Sequence, residues 1–224
     1  MIKGIILDLD DTLYPFQEYL ESGFWEVARY AGGKYGIDPQ ESFAYMKILY
    51  SRYGEREVLS NLVSYFSLEP AAIIEMISVF REHRPNIALY PAYRKTLQTL
   101  GDTYVLGLLT DGDPGVQDKK IKALRIQKYF KHTIFTHKFE EAKWKPNAFC
   151  FTLMARVIGC NPRDLVFVGD NPLTDFLGAK KAGYLTVRVL TGEFRDKAVP
   201  MEFEAHRRIK DLTELQDYMN EFFQ

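Results

Sequence analysis

Cysteine is nearly missing: Cys150 and Cys160 are the only two in 224 residues. That excludes a small disulfide-built scaffold and leads us to expect a reducing, cytoplasmic setting. An excess of one charge is missing too. Lys and Arg total 29 against 30 Asp and Glu, a formal net charge of −1, so no global field would recruit nucleic acid or an anionic membrane. The longest apolar stretches, such as Gly4 to Leu7 and Val105 to Leu109, fall far short of the roughly 18 to 20 residues that cross a bilayer. The start is the reverse of a signal peptide, because Lys3 is followed by a few apolar residues and then by Asp8, Asp10 and Asp11. There is no zinc-type cysteine spacing, the four histidines (His83, His132, His137, His206) are scattered, and no P-loop or dinucleotide-type glycine pattern follows a strand. Internal repeats and low-complexity segments are absent as well. What is left is an ordinary globular chain, long enough for one full domain carrying a smaller one, which must hold any anion by local contacts.

The pattern along the chain changes twice. Ile2 to Leu7 is a short apolar run ending in acid, as a strand buried on both faces would be. From about Gln17 to Phe80 apolar residues recur at three- and four-residue spacing (Phe16, Tyr19, Leu20, Phe24, Val27; then Phe43, Met46, Leu49, Tyr50), which predicts helices, with breaks at Gly32-Gly33 and Asp38-Pro39. After Pro91 strands alternate with helices. Strands are expected at Tyr104–Leu109, Thr133–Thr136, Leu165–Val168 and Leu185–Val189, and helices from Ala92, Val116, Pro146, Leu173 and Leu212. Strands separated by helices of this length require crossovers and therefore a parallel sheet. The expected fold is α/β: an open, mainly parallel, Rossmann-like sheet sandwiched by helices, with a small all-α domain inserted after the first strand. Its boundaries fall at residues 1–13 and 90–224 for the α/β core and 14–89 for the insertion. In the last helix Leu212, Leu215, Met219 and Phe222 would pack on the sheet, after a capping-box-like Asp211 and Glu214.

Ligands of open parallel sheets sit at the carboxyl ends of the strands, and the strand ends here share a chemistry. Strand one stops at Asp8-Leu9-Asp10-Asp11-Thr12, strand two at Thr110-Asp111-Gly112, and strand four at Gly169-Asp170-Asn171-Pro172-Leu173-Thr174-Asp175; Lys145-Pro146 opens the helix leading into strand four. Carboxylates gathered at one point stay ionised only with a cation among them. Oxygen ligands beside a phosphate suit Mg2+, with Asp8 and Asp170 as direct ligands. Thr110 supplies a hydroxyl and Lys145 a positive charge for that phosphate, with Lys143 as the fallback lysine. Taken singly, Asp10 or Asp11 could cap a turn, Asp170 a helix, and Lys145 could be a solvated lysine.

These residues resemble the haloacid dehalogenase superfamily of phosphohydrolases. The Asp-x-Asp-x-Thr pattern is met by Asp8 to Thr12, the strand-end threonine by Thr110, the lysine by Lys145 and the Gly-Asp-x4-Asp pattern by Gly169 to Asp175, so the likeness spans nearly the whole chain. The resemblance implies that Asp8 is the nucleophile and Asp10 the general acid and base, with its backbone carbonyl also on the metal. It further implies that Thr110 and Lys145 clamp the phosphate and the nucleophile, and that Asp8, Asp10 and Asp170 hold Mg2+ with support from Asp175; Asp111, next to Thr110, is expected to bind phosphate with them. Asp111 departs from the family, where Asn is frequent after the threonine. The insertion stands where the family places a helical cap, in which Arg52, Arg56, Arg81, His83 and Arg84 could meet substrate, while Trp25 and Tyr45 are expected in its small core.

The expected activity is a cytoplasmic, Mg2+-dependent phosphatase acting on a small phosphorylated metabolite, a sugar phosphate or a nucleoside monophosphate, through an aspartyl-phosphate. The chain would work as a monomer or homodimer, with no nucleic-acid or membrane partner. A phosphomutase using the same intermediate and a non-catalytic binding module on the same fold are the alternatives. The dehalogenase branch needs no metal and lacks the second acid, so it fits poorly.

Overall fold

The computed structural model describes residues 1–223; the side chains of Phe222 and Phe223, and with them the expected packing of Phe222, lie outside the described residues. The chain divides into two compact units, Met1–Phe16 with Ala88–Gln224, and Gln17–Ile87. These limits differ by a few residues from 13/14 and 89/90, because the turn after the first strand is tied back to its own unit. Tyr14 bridges to Asp10, and the Phe16 N–H donates to Asp11 Oδ1 at 2.8 Å.

In the larger unit six strands, β1 (Gly4–Leu7), β2 (Val105–Thr110), β3 (His132–Phe135), β4 (Leu165–Gly169), β5 (Leu185–Val189) and β6 (Arg207–Ile209), form one sheet in the order β3-β2-β1-β4-β5-β6. All five pairings are parallel. Ile5 and Leu7 are as fully buried as Ile6, and Val166 and Val168 as fully as Phe167, so both faces of the centre are covered. Ile6, Leu109, Leu165 and Phe167 join Phe151, Met154, Ile158, Phe176, Ala179 and Tyr184 in one apolar cluster, which seats helices α7 (Ala148–Ile158) and α8 (Phe176–Ala182) on one face. Phe151 meets Phe167 edge to face at 5.0 Å.

Several elements differ from the expected ones for identifiable reasons. β6 was not among the expected strands; Arg207-Arg208-Ile209 is a short edge strand, where charged residues are normal. The helix expected from Pro146 starts two residues later because Asn147 is the N-cap, accepting from the Phe149 N–H at 2.8 Å. The helix expected from Leu173 starts at Phe176, because residues 171–175 form a turn in which Asn171 accepts from the Leu173 N–H. The last helix, α9 (Leu215–Phe223), follows one tight turn in which Asp211 accepts from the Thr213 N–H and Glu214 from the Lys210 N–H. Leu212, Leu215 and Met219 are buried as expected. Helix α5 (Pro91–Thr103) and helix α6 (Pro114–Leu124) complete the unit. Asp113 caps α6 through the Gly115 and Val116 N–H groups.

The smaller unit is helical: α1 (Phe16–Tyr35, entering from the larger unit), α2 (Pro39–Tyr53), α3 (Val58–Tyr65) and α4 (Ala72–Glu82). The expected break at Gly32-Gly33 does not occur. Ala28 and Ala31 are fully buried up to that point, and tertiary packing carries the helix past two poor helix formers to Tyr35. Its core is Tyr19, Phe24, Met46, Leu62, Met76 and Phe80. Trp25 and Tyr45 lie at its rim, half-buried, against Phe43 and Tyr65. Glu75 ties α4 to α1 by accepting from Tyr30, Lys34 and Tyr35.

Phe151→Ala should destabilise the protein by about 3–5 kcal/mol in urea unfolding. A loss under about 1 kcal/mol would mean that α7 is not held by this cluster.

Candidate active site

β1 lies between β2 and β4, so the chain leaves β1 toward one side of the sheet and returns to its other side. That reversal opens a crevice at the carboxyl ends of these strands. Asp8 follows β1, Thr110 ends β2 and Asp170 follows β4, so pairing of the three strands brings these residues to one rim. A cavity of about 230 Å³ there is lined by Asp8, Asp10, Asp11, Phe16, Thr110, Asp111, Lys145, Asp170, Asn171, Thr174, Glu193 and Phe194.

Its floor is a buried charge cluster. Lys145 Nζ donates to Asp8 Oδ1 at 2.8 Å and to Asp175 Oδ1 at 2.7 Å. Asp175 also accepts from the Asn171 N–H at 3.1 Å, and Asp170 accepts from the Thr12 hydroxyl at 3.3 Å. Lys143, the fallback, pairs instead with Glu140 on the surface. The glycine in Gly169-Asp170 has a steric cause: a Cβ there would stand 2.1 Å from Asp175 Oδ2, so only glycine lets that carboxylate reach Lys145.

Asp8, Asp170 and Asp175 each offer an oxygen, all within 4.8 Å of one another. Burial pushes the Asp8 carboxyl up to about 8, with Lys145 pulling the other way and Asp175 adding to the rise. Asp170 is raised well above the carboxylate range by burial and by Asp175 and Asp8. Asp175 is raised by burial against the pull of Lys145. For Lys145 burial opposes the charge, yet Asp175 and Asp8 hold the ammonium well above its ordinary value. One lysine cannot neutralise three buried acids, and hard oxygen donors this close together suit Mg2+. Asp175 is committed to Lys145 and the main chain, which leaves Asp8 and Asp170 as the carboxylates able to hold an ion.

The Asp10 carboxylate, expected to carry the proton while the Asp10 backbone carbonyl meets the metal, lies outside that group of three. Lys120 Nζ donates to both of its oxygens at 2.9 Å, Gln117 Nε2 donates to Oδ2 at 3.0 Å, and Tyr14 donates its hydroxyl; any contact of Asp10 with an ion would come from its main chain. Asp111 lines the cavity, but its carboxylate accepts from Thr136, so a phosphate would meet its backbone N–H. Asp11 has φ +54 and accepts from the Thr191 hydroxyl at its carbonyl and from the Glu193 N–H at its side chain. Gly192, at φ +65, makes that approach possible, since a Cβ there would sit 2.2 Å from Asp11 Cγ. Tyr14, Gln117, Lys120, Glu193 and Phe194 were not singled out in the sequence. For Gln117 and Lys120 a signal existed, because both fall on the same helix face as Ile121 and Leu124.

In the helical unit His83 is not a substrate candidate: it is buried, with its ring against Tyr19 and Phe80. Arg52, Arg56, Arg81 and Arg84 are exposed.

The profile of the haloacid dehalogenase-like hydrolases matches residues 5–189. The chain is similar to the glyceraldehyde 3-phosphate phosphatase of Methanocaldococcus jannaschii, 31% identical over 208 residues that cover 88% of this chain and 88% of that one. It is also similar to the phosphatase of the same name from Pyrococcus furiosus, 29% identical over 226 aligned positions that cover 96% and 91%. In fold it is similar to the HAD-hydrolase YfnB of Bacillus subtilis, solved bound to magnesium, with a TM-score of 0.70 at 17% identity over 98% of this chain and 99% of that one.

The raised acids set the pH response. An acid whose pKa rises from 3.8 unfolded to about 8 folded lends stability below the unfolded value and loses it as pH climbs through the folded one. Stability of the metal-free protein should therefore fall between about pH 4 and pH 8, and a bound cation should offset the loss. Added Mg2+ should raise Tm more at about pH 8 than at about pH 6. Equal shifts at both would contradict a cation site built on these acids.

Proposed function

The chain belongs to the haloacid dehalogenase-like hydrolase family and is a phosphoric monoester hydrolase; from that premise we propose a Mg2+-dependent phosphatase that cleaves a small sugar phosphate through an aspartyl-phosphate on Asp8. One observation carries the reading. Asp8 is buried against Lys145 in a cavity that Thr110 and Asp170 also line, which unites a nucleophile, a cation, a hydroxyl donor and a second acid. The names of the relatives support a triose phosphate as the first class to test.

Asp8 and Asp170, with the main chain of Asp10, would hold the Mg2+, which supplies charge neutralisation at the phosphoryl oxygens. Lys145 holds the Asp8 carboxylate in place and balances its charge, while Thr110 donates to the phosphoryl group. An Asp8 oxygen attacks phosphorus; the phosphorus–oxygen bond to the sugar breaks, and Asp10, which enters this step as the protonated acid, gives its proton to the departing oxygen. Asp10 then removes a proton from water as the water attacks the aspartyl-phosphate, and Asp8 leaves as the free carboxylate. The helical unit acts as the cap that selects the leaving group and excludes water. Free Cys150 and Cys160 suit work in the cytoplasm.

Asp8→Asn should keep the fold by circular dichroism and lose at least about a thousandfold in kcat. Near wild-type turnover would rule Asp8 out as nucleophile. Across a panel of phosphate esters, inorganic phosphate should be released from triose phosphates with higher kcat/KM than from nucleoside monophosphates, and only with Mg2+ present. Isomerised sugar phosphate without free phosphate would instead mark a mutase.

A further inference from the structure

Gln117 and Lys120 stand one turn apart on α6, 1% and 3% exposed, in company with Ile121 and Leu124. A lysine is seldom so buried unless it is paired, and what Lys120 pairs with is both oxygens of Asp10, at 2.9 Å each. Its ammonium also lies 4.8 Å from the centre of the Phe16 ring. The Asp10 carboxylate is thus gripped at both oxygens, where a free aspartate at a strand end could rotate.

Gln117 joins the same carboxylate to the phosphate-binding threonine. Its Nε2 donates to Asp10 Oδ2 at 3.0 Å and to Thr110 Oγ1 at 2.7 Å. A carboxylate only accepts, so the side that Gln117 turns to Asp10 has to be its NH2 group. The same NH2 faces Thr110, whose oxygen is therefore an acceptor at that contact. The Thr110 proton is left for another partner, and among the described residues it makes a long 3.4 Å contact to the Asp111 carbonyl. A phosphoryl oxygen in the cavity is a better acceptor.

We propose that Gln117 and Lys120 are positioning residues of the reaction: Lys120 aims the Asp10 carboxylate at the leaving oxygen, and Gln117 fixes the Thr110 hydroxyl as a donor to the phosphoryl group. This rests on the reading of Asp10 as the proton carrier and Thr110 as a phosphate ligand. A residue that only stabilised the fold would affect all substrates alike, whereas a residue that aims the acid matters when the leaving group needs a proton. A sugar alkoxide needs one and a nitrophenolate does not.

The test compares kcat/KM for a triose phosphate and for p-nitrophenyl phosphate in full-length wild type, Lys120→Met, Lys120→Arg and Asp10→Asn, each checked for folding. Lys120→Met should lose at least about tenfold more on the triose phosphate than on the nitrophenyl ester, and Lys120→Arg should recover part of the difference. Equal fractional losses in Lys120→Met, with Asp10→Asn showing the difference, would overturn the proposal alone; no difference in Asp10→Asn would overturn the reading of Asp10 on which it rests. Gln117→Met, which keeps the side-chain length, supplies a second readout if Lys120→Met does not fold. Its inhibition constant for inorganic phosphate should rise several-fold, and an unchanged constant would remove Gln117 from the clamp.

Discussion

A single ammonium, that of Lys145, lies between Asp8 and Asp175 at 2.8 and 2.7 Å, and most of what is particular to this chain follows from burying that group with too many acids around it. Taking such charges out of water is costly, and removing one member of the set would leave the others uncompensated. The fold meets that constraint with backbone. Parallel pairing of β1 with β2 and β4 fixes where Asp8, Thr110 and Asp170 stand, the Asn171 N–H stabilises Asp175, and the missing side chain at Gly169 opens the path for its carboxylate. Crowded, buried oxygen donors of this kind suit a divalent cation and then a phosphoryl group, neither of which would be drawn by the chain's near-zero net charge.

A second polar layer stands apart from the first. Asp10 is held by Lys120, Gln117 and Tyr14, away from the group formed by Asp8, Asp170 and Asp175. Two aspartates two residues apart thus have different surroundings, one among buried carboxylates, the other gripped by an ammonium, an amide and a phenol. Separate surroundings allow neighbouring carboxylates to serve as nucleophile and as acid.

The sheet and the rim were legible because their signals are local. Apolar runs ending in acid mark buried parallel strands, and strand ends are where ligands sit, so Asp8, Thr110, Lys145 and Asp170 could be named before any geometry. Gln117 and Lys120 were not named: their spacing puts them on the face of Ile121 and Leu124, but a polar residue on a helix is ordinarily solvated, and the packing of α6 is what shows that these two are inside. Asp10 was expected to carry the proton, with its backbone carbonyl on the metal; which donors claim its carboxylate is a matter of long-range contact that the sequence does not show. β6 escaped because an edge strand tolerates charge, and α1 ran through Gly32-Gly33 because its buried face outweighs local propensity.

The central claim is that Asp8 itself takes the phosphoryl group. The stereochemical course at phosphorus tests it most directly, using a phosphorothioate ester made chiral at phosphorus by two oxygen isotopes and hydrolysed in water carrying the third, so that the thiophosphate released is itself chiral. Two successive in-line displacements, at Asp8 and then by water, predict overall retention of configuration. Inversion would mean that water attacks the substrate directly, and would contradict the account.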